Sequence, residues 1–362
     1  MKNTVIKKYS VKELNAELFT PFTISSGSHK SMTNVLFTLE AAGGVRGYGE
    51  AAIATHITGE TREKTMKSLR RAGELLAGLD AANYLAALCK LEGALDGNRA
   101  ALAAAQMAVL DLVCRLQGVS LWKFFGGRAP SLKTDVTVVI GDAATALAFT
   151  AKMRKQGFKI FKVKTGADMD EDYRRLAAVK KAAPGCAIYL DANCACTAKG
   201  AEAFIKKLAG MGIHPAVLEQ PVKKDDIDGL AYLSRKLPMP VCADESAYSL
   251  DDVYRLIQKN AVNAVNIKLT KLGFLRAREV WALARAKGIK LMMGQMVESE
   301  LASCAAAAFA GGLGGFDFID IDTPFFIKDS GLKGYSFLSK DGVYSLDRAK
   351  AGIGVEPRGA KC

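Results

Sequence analysis

From about residue 131 the chain alternates short runs of β-branched and apolar residues with helix-like stretches. This repeat restricts the fold more than any other feature. The runs are "TDVTVVIG", "FKIFKVKTG", "CAIYLDAN", "AVLEQPV", "PVCADES", "AVNAVNIKL", "IKLMMGQ" and "FDFIDI". Between them lie segments such as "DEDYRRLAAVKKAAPG", acidic at its start and stopped by Pro-Gly, the polarity a helix favours. Eight strands joined by seven crossovers predict parallel strands closing into a barrel over 131–330, an α/β fold.

Residues 1–130 have another texture. "SVKELNAELFTPFTI" and "NVLFTLEAAGGVRGYGEAA" read as antiparallel strands, and "RAALAAAQMAVLDLVCRLQG" as an alanine-rich helix ending in Gly. This predicts a separate α+β unit, with the tail 331–362 packing back on it. "ISSGSHKS" and "HITGETREKT" read as flexible loops able to cover a barrel mouth. The 362 residues are 50% hydrophobic and 24% charged, as in a soluble globular chain. No apolar run reads as long enough to cross a bilayer, which needs about 20 residues, so no membrane role is expected. The start lacks a secretory h-region, and eight cysteines without a paired CxxC framework fit reduced thiols in a cytoplasm. The net charge of +13 is spread along the chain with no basic block, interleaved aromatics or DNA-binding motif, which argues against nucleic acid as a partner.

In such barrels chemistry gathers at the carboxyl ends of the strands. Those ends carry Thr137, Lys162 with Lys164, Asp191, Glu219, Asp244, Lys268, Gln295, and Asp320 with Asp322. Lys164, Asp191, Glu219, Asp244 and Lys268 follow one another at 27, 28, 25 and 24 residues, each about one βα unit. Lys162 and Lys164 point to one face of their strand; alone, they could equally belong to an exposed edge. Three carboxylates converging from neighbouring strands repel one another unless a cation sits among them. Hard oxygen donors favour Mg²⁺, one ion per subunit. His29, His56 and His214 lie outside the strand ends, which argues against zinc. Lys164 on the second strand and Lys268 on the sixth would then face one carbon from opposite sides, one removing a proton and the other returning one. The ion would hold a substrate carboxylate and stabilise the enediolate, with Lys162 adding positive charge there.

The set "KVK", "DAN", "EQP", "ADES" and "NIK" resembles the muconate-lactonising-enzyme subgroup of the enolase superfamily, and "ITGET" and "FFGGR" resemble its capping region. The resemblance implies a modified TIM barrel, (β/α)7β, capped by an α+β domain built from both termini. It also implies Mg²⁺ on Asp191, Glu219 and Asp244, and acid/base lysines at Lys164 and Lys268; it leaves a homo-oligomer open. Dipeptide epimerases of the subgroup, such as those acting on L-Ala-D/L-Glu, are similar to this chain at "FIDIDTP". There an Asp-x-Asp pair, here Asp320 and Asp322, holds the substrate's free ammonium group, although one Asp could simply cap the following loop. Thr137, the backbone at Met296 and the side chain of Glu298 are expected to line the pocket for a small-molecule dipeptide. A muconate, succinylbenzoate or N-succinyl amino acid reaction on the same scaffold would leave the Asp pair without a use. A catalytically silent binding barrel would have no reason to keep such costly charges. The arginine that resembling Ala-Glu enzymes carry after the first strand is replaced by Gly27, with His29 and Lys30 near it. Ala-Glu specificity is therefore not expected; Glu60 and Glu298 would suit a cationic residue, and an apolar one stays open. Cys194, Cys196 and Gln295 depart from the subgroup's usual residues, the two thiols reading as strand-end packing.

Overall fold

The computed structural model describes residues 4–359 apart from 25, 26, 96, 167 and 336. It opens with an antiparallel sheet of β1 (Ile6–Ile24), β2 (Gly27–Ala41) and β3 (Arg46–Ala51). The helices α1 (Thr55–Thr58), α2 (Arg62–Leu76), α3 (Tyr84–Ala94), α4 (Arg99–Gln117) and α5 (Leu121–Phe124) follow. α4 begins at Asn98, whose side chain accepts from the Ala101 N–H, and stops at Gly118 with φ 75°. It lies so close to β3 that a Cβ at Gly49 would stand 1.9 Å from the Ala104 carbonyl oxygen. Glycine on the strand and alanine on the helix let the two backbones meet. By length and apolar character α4 passes for a bilayer span, which corrects the expectation that no such run exists. In the structure it is an enclosed core helix whose Asp111 and Arg115 pair at 2.8 Å.

After β4 (Ser131–Lys133) comes the repeat: β5 (Val136–Val138), α6 (Ala143–Gln156), β6 (Ile160–Lys164), α7 (Met169–Ala182), β7 (Ala187–Asp191) and α8 (Ala198–Gly210). It continues with β8 (Val217–Glu219), α9 (Ile227–Lys236), β9 (Val241–Ala243), α10 (Leu250–Gln258), β10 (Ala264–Lys268), α11 (Leu269–Ala286), β11 (Lys290–Gly294), α12 (Glu300–Leu313) and β12 (Phe318–Ile319). The eight strands from β5 to β12 form one parallel sheet in chain order. The Asp135 N–H donates to the Ile319 carbonyl at 3.1 Å, joining first strand to last. Helix starts follow local chemistry: Asp168 caps α7, whose first turn carries Asp170, Glu171 and Asp172. Every strand of the repeat is buried over most of its length, as a sheet covered on both faces must be. β12 is only two residues long, so Asp320 and Asp322 stand just past it.

The tail forms β13 (Leu332–Lys333), β14 (Val343–Ser345) and β15 (Glu356–Pro357). β14 pairs with β4, while Ile353 N–H donates to Asp111 at 2.7 Å and Arg115 meets Glu356 at 3.2 Å. The tail thus touches α4 and the strand leading into the barrel. Two segments expected to be loops are ordered. "HIT" lies in α1, and the described residues on either side of 25 and 26 pair antiparallel, Ile24 opposite Gly27, Thr23 opposite Ser28 and Phe22 opposite His29.

Candidate active site

The carboxyl ends of the barrel strands open into a cavity of about 1130 Å³. Thr137, Lys162, Lys164, Asp244, Lys268, Gln295, Met296, Asp320 and Asp322 all reach its wall. Capping residues complete it: Phe22, Ile53, Ala54 and Ile57 add apolar surface beside that of Met296 and Val297. Asp191 and Glu219 are not among its lining residues; they lie buried, 1% and 0% exposed, and are joined to the wall by Lys162. Lys164, Asp191 and Glu219 are direct cross-strand partners, which places them side by side.

Charge pairing organises the site. Lys162 Nζ lies 2.6 Å from Glu219, 3.1 Å from Asp191 and 2.5 Å from Asp320. It was expected to face the substrate carboxylate; here it bridges three acids. Lys164 donates to Asp191 at 2.6 Å and Lys268 to Asp244 at 2.7 Å. Burial pulls the Lys268 pKa down, but Asp244 and Glu219 outweigh it and hold the ammonium charged above its usual range. Burial alone would have depressed it; the carboxylates win because Asp244 touches it at 2.7 Å. Conversely, burial raises the Asp191 and Asp244 carboxyls, yet the lysines at hydrogen-bond distance pull both below the usual range. Glu219 goes the other way: burial, then repulsion from Asp191, push it up to about 8.

Among the described residues, the three carboxylates that approach within 4.8 Å of one another are those of Asp135, Asp320 and Asp322. Asp191, Glu219 and Asp244 are instead paired with lysines, Lys162 shared by Asp191 and Glu219, and Lys268 with Lys271 on Asp244. Their donor set still suits a hard cation. All three are buried carboxylates at neighbouring strand ends, and the Lys162 ammonium already occupies the place between Asp191 and Glu219. Asp322 accepts from the Thr137 N–H at 2.5 Å; burial and then Asp320 push its carboxyl up to about 7.

Several placements differ from expectation. Glu60 is absent from the cavity wall and caps α4, accepting from the N–H groups of Arg99 (2.6 Å) and Ala100 (3.1 Å). Glu298 stands behind the wall, 4% exposed, bonded to the Thr270 hydroxyl and the Met296 N–H. With both acids engaged elsewhere, the wall near Met296 is apolar, and the cationic preference falls. Gly27 opens β2, and the side chain of His29 lies outside the described residues. Cys196 packs against the core as expected, but Cys194 lines the cavity, its thiol pushed up to about 12 by burial and by Glu245 and Asp244. With its amide turned to suit its neighbours, Gln295 accepts from the N–H groups of Thr323 (2.7 Å) and Asp322 (3.2 Å).

Four residues that sequence reasoning passed over support the site. Lys271 donates to the Asp244 carboxylate at 2.7 Å and to its carbonyl at 2.8 Å. Asn266 donates to Glu219 at 2.7 Å. Gln220, the middle of "EQP", accepts from the Asp244 and Ser246 N–H groups, at 3.0 and 3.1 Å. Asp135 is fully buried beneath Thr137. Asn266 and Asp135 were findable, each two residues before a site residue and so on the same strand face.

Two family models cover nearly the whole chain: the mandelate racemase/muconate lactonizing enzyme N-terminal domain over residues 7–126 and the enolase C-terminal domain-like model over residues 145–361. The chain is 43% identical to a hydrophobic dipeptide epimerase of Citrifermentans bemidjiense, over 95% of this chain and 96% of that one. It is 37% identical to an aromatic dipeptide epimerase of Herpetosiphon aurantiacus, over 97% and 99%. The crystal structure of a dipeptide epimerase from Enterococcus faecalis, complexed with Mg and L-Leu-L-Tyr, superposes with a TM-score of 0.92 at 29% identity, covering 97% of this chain and 99% of that one. With both domains matched in order around one barrel mouth, the chain belongs to the mandelate racemase/muconate lactonizing enzyme family of enolase-like proteins.

Proposed function

We propose that this protein is a Mg²⁺-dependent dipeptide epimerase that inverts the α-carbon of the C-terminal residue, with a preference for apolar side chains there. The observation that carries the reading is the placement of two lysines. Lys164 and Lys268 end the second and sixth of eight strands, flank the acid row at Asp191 and Asp244, and share one cavity. Asp191, Glu219 and Asp244 would hold Mg²⁺, which supplies positive charge to the substrate carboxylate and so acidifies the α-proton. One lysine takes that proton from one face of the α-carbon, and the other delivers a proton to the opposite face. Lys271 and Asn266 keep Asp244 and Glu219 oriented. Asp320 and Asp322 attract the free α-ammonium, which an N-acyl amino acid lacks. Phe22, Ile53, Ile57 and Met296 supply the apolar surface for a side chain, in keeping with the substrate classes named for the relatives.

Incubation with Mg²⁺ in D₂O and a panel of L,L-dipeptides is expected to place deuterium at the C-terminal α-carbon and to yield L,D product, fastest with apolar C-terminal residues. Lys268→Ala abolishes epimerisation. Turnover of N-succinyl amino acids with no exchange in any free-amine dipeptide would overturn the reading.

A further inference from the structure

Two buried polar side chains of the capping sheet reach across to the barrel. Asn34 on β2 and Glu50 on β3 are each 1% exposed, and Asn34 Nδ2 donates to Glu50 Oε1 at 2.7 Å. An amide and a carboxylate this deep are tolerated only when their polar atoms are partnered. Their remaining partners are mostly main-chain groups of the segments that wall the cavity. Asn34 Nδ2 also donates to the Val297 carbonyl at 2.9 Å, and its Oδ1 accepts from the Ile53 N–H at 3.0 Å. Glu50 Oε1 accepts from the Ser299 N–H at 2.9 Å; its Oε2 accepts from the Ser299 hydroxyl and from the Ala302 N–H at 3.2 Å, at the start of α12. Ile53 and Val297 both line the cavity, one from the capping segment and one from the turn between β11 and α12. Ala52 and Ala54 pack with Met296 in a small apolar cluster of their own, separate from the main core. Ile53 and Val297 also pack against the main core, and the Asn34–Glu50 pair adds the hydrogen bonds that tie one wall to the other.

We propose that Asn34 and Glu50 are positioning residues that hold the two apolar walls in register and so set which C-terminal side chain the cavity accepts. They do this without touching the substrate. The inference rests on the cavity being the dipeptide site. Asn34→Asp is near-isosteric but turns an acceptor towards Glu50 and the Val297 carbonyl; Glu50→Gln turns a donor towards the donors it now accepts from. Each is expected to raise KM for an apolar dipeptide about tenfold, the size of one buried hydrogen bond lost, with kcat little changed. The double variant restores a donor–acceptor match between the two positions and recovers part of that KM. Amide hydrogen exchange of the substrate-free protein should quicken at Ile53 and across 297–302 in either single variant, and stay unchanged in α4. If Asn34→Asp does not fold, Asn34→Ser reads the same quantities. A lowered Tm with KM and wall exchange unchanged would make the pair merely structural and overturn the proposal, as would a fall in kcat at constant KM. Should the wild type exchange no dipeptide α-proton, the functional reading fails; unchanged wall exchange in the variants would separately sink the positioning claim.

Discussion

At the scale of single residues the site is a problem in sharing positive charge among buried acids. Lys162, Lys164, Lys268 and Lys271 each touch at least one carboxylate at 2.5 to 3.1 Å. Asp322 is among the carboxyls that stay raised despite them, pushed up to about 7 by burial and by Asp320, against the hydrogen bond from Thr137. A neutral carboxyl does not attract an ammonium. Below pH 7 Asp322 takes up its proton, so KM for a free-amine dipeptide is expected to rise as pH falls from 8 to 6, approaching about tenfold per unit. Asp322→Asn should remove that slope and raise KM at pH 8 by about tenfold or more, as loss of a charged hydrogen bond does. Steady-state KM measured across pH on both proteins checks this. The alternating pattern in "KVK" and the βα spacing made the lysines and the acid trio legible from sequence. Lys271 was not, because it lies one turn beyond the strand, where a lysine reads as solvated helix surface.

At the scale of elements, α11 shows how capping region and barrel share control of the site. Gly273 breaks this helix with φ 67° and ψ 179°, leaving Lys268 to Leu272 as a short turn before the break. The break is met by Gln106 of α4, whose Oε1 accepts from the Phe274 N–H at 2.6 Å. A Cβ at Gly273 would stand 2.6 Å from that same oxygen. Gly273→Ala should therefore cost about 1–3 kcal/mol in backbone strain alone, and more through the clash with Gln106. Gly288→Ala is the control: its φ is 68°, but its added Cβ meets nothing within 4 Å. Urea unfolding should show the larger loss at Gly273, and Mg²⁺ titration should weaken there and not at Gly288, since only the first turn carries Lys271 to Asp244. No local pattern announces the break at Gly273, because it depends on an acceptor, Gln106, 168 positions before the Phe274 N–H it meets.

At the scale of the whole molecule, the acid row should couple metal binding to folding. A cation bound by the native trio and not by the unfolded chain stabilises by about 2.7 kcal/mol at a hundred times its Kd. Mg²⁺ is therefore expected to raise Tm, EDTA to reverse the rise, and Asp244→Asn to abolish it in a thermal melt; a wild-type melt indifferent to Mg²⁺ would count against the trio as its ligands. By itself the sequence determined the parallel strand–helix repeat, the strand-end order of lysines and acids, and the alanine-rich helix ending in Gly. These follow from local periods, two residues along a strand and about 24 to 28 between strand ends. Only the tertiary structure decided which lysine meets which carboxylate, that Glu60 caps a helix and Glu298 stands behind the wall, and that apolar groups of the capping region join the pocket wall. It also decided that Glu50 meets Ser299, 249 positions away. Such contacts depend on how the capping sheet docks over the barrel, and no local repeat in a chain encodes the docking of distant surfaces.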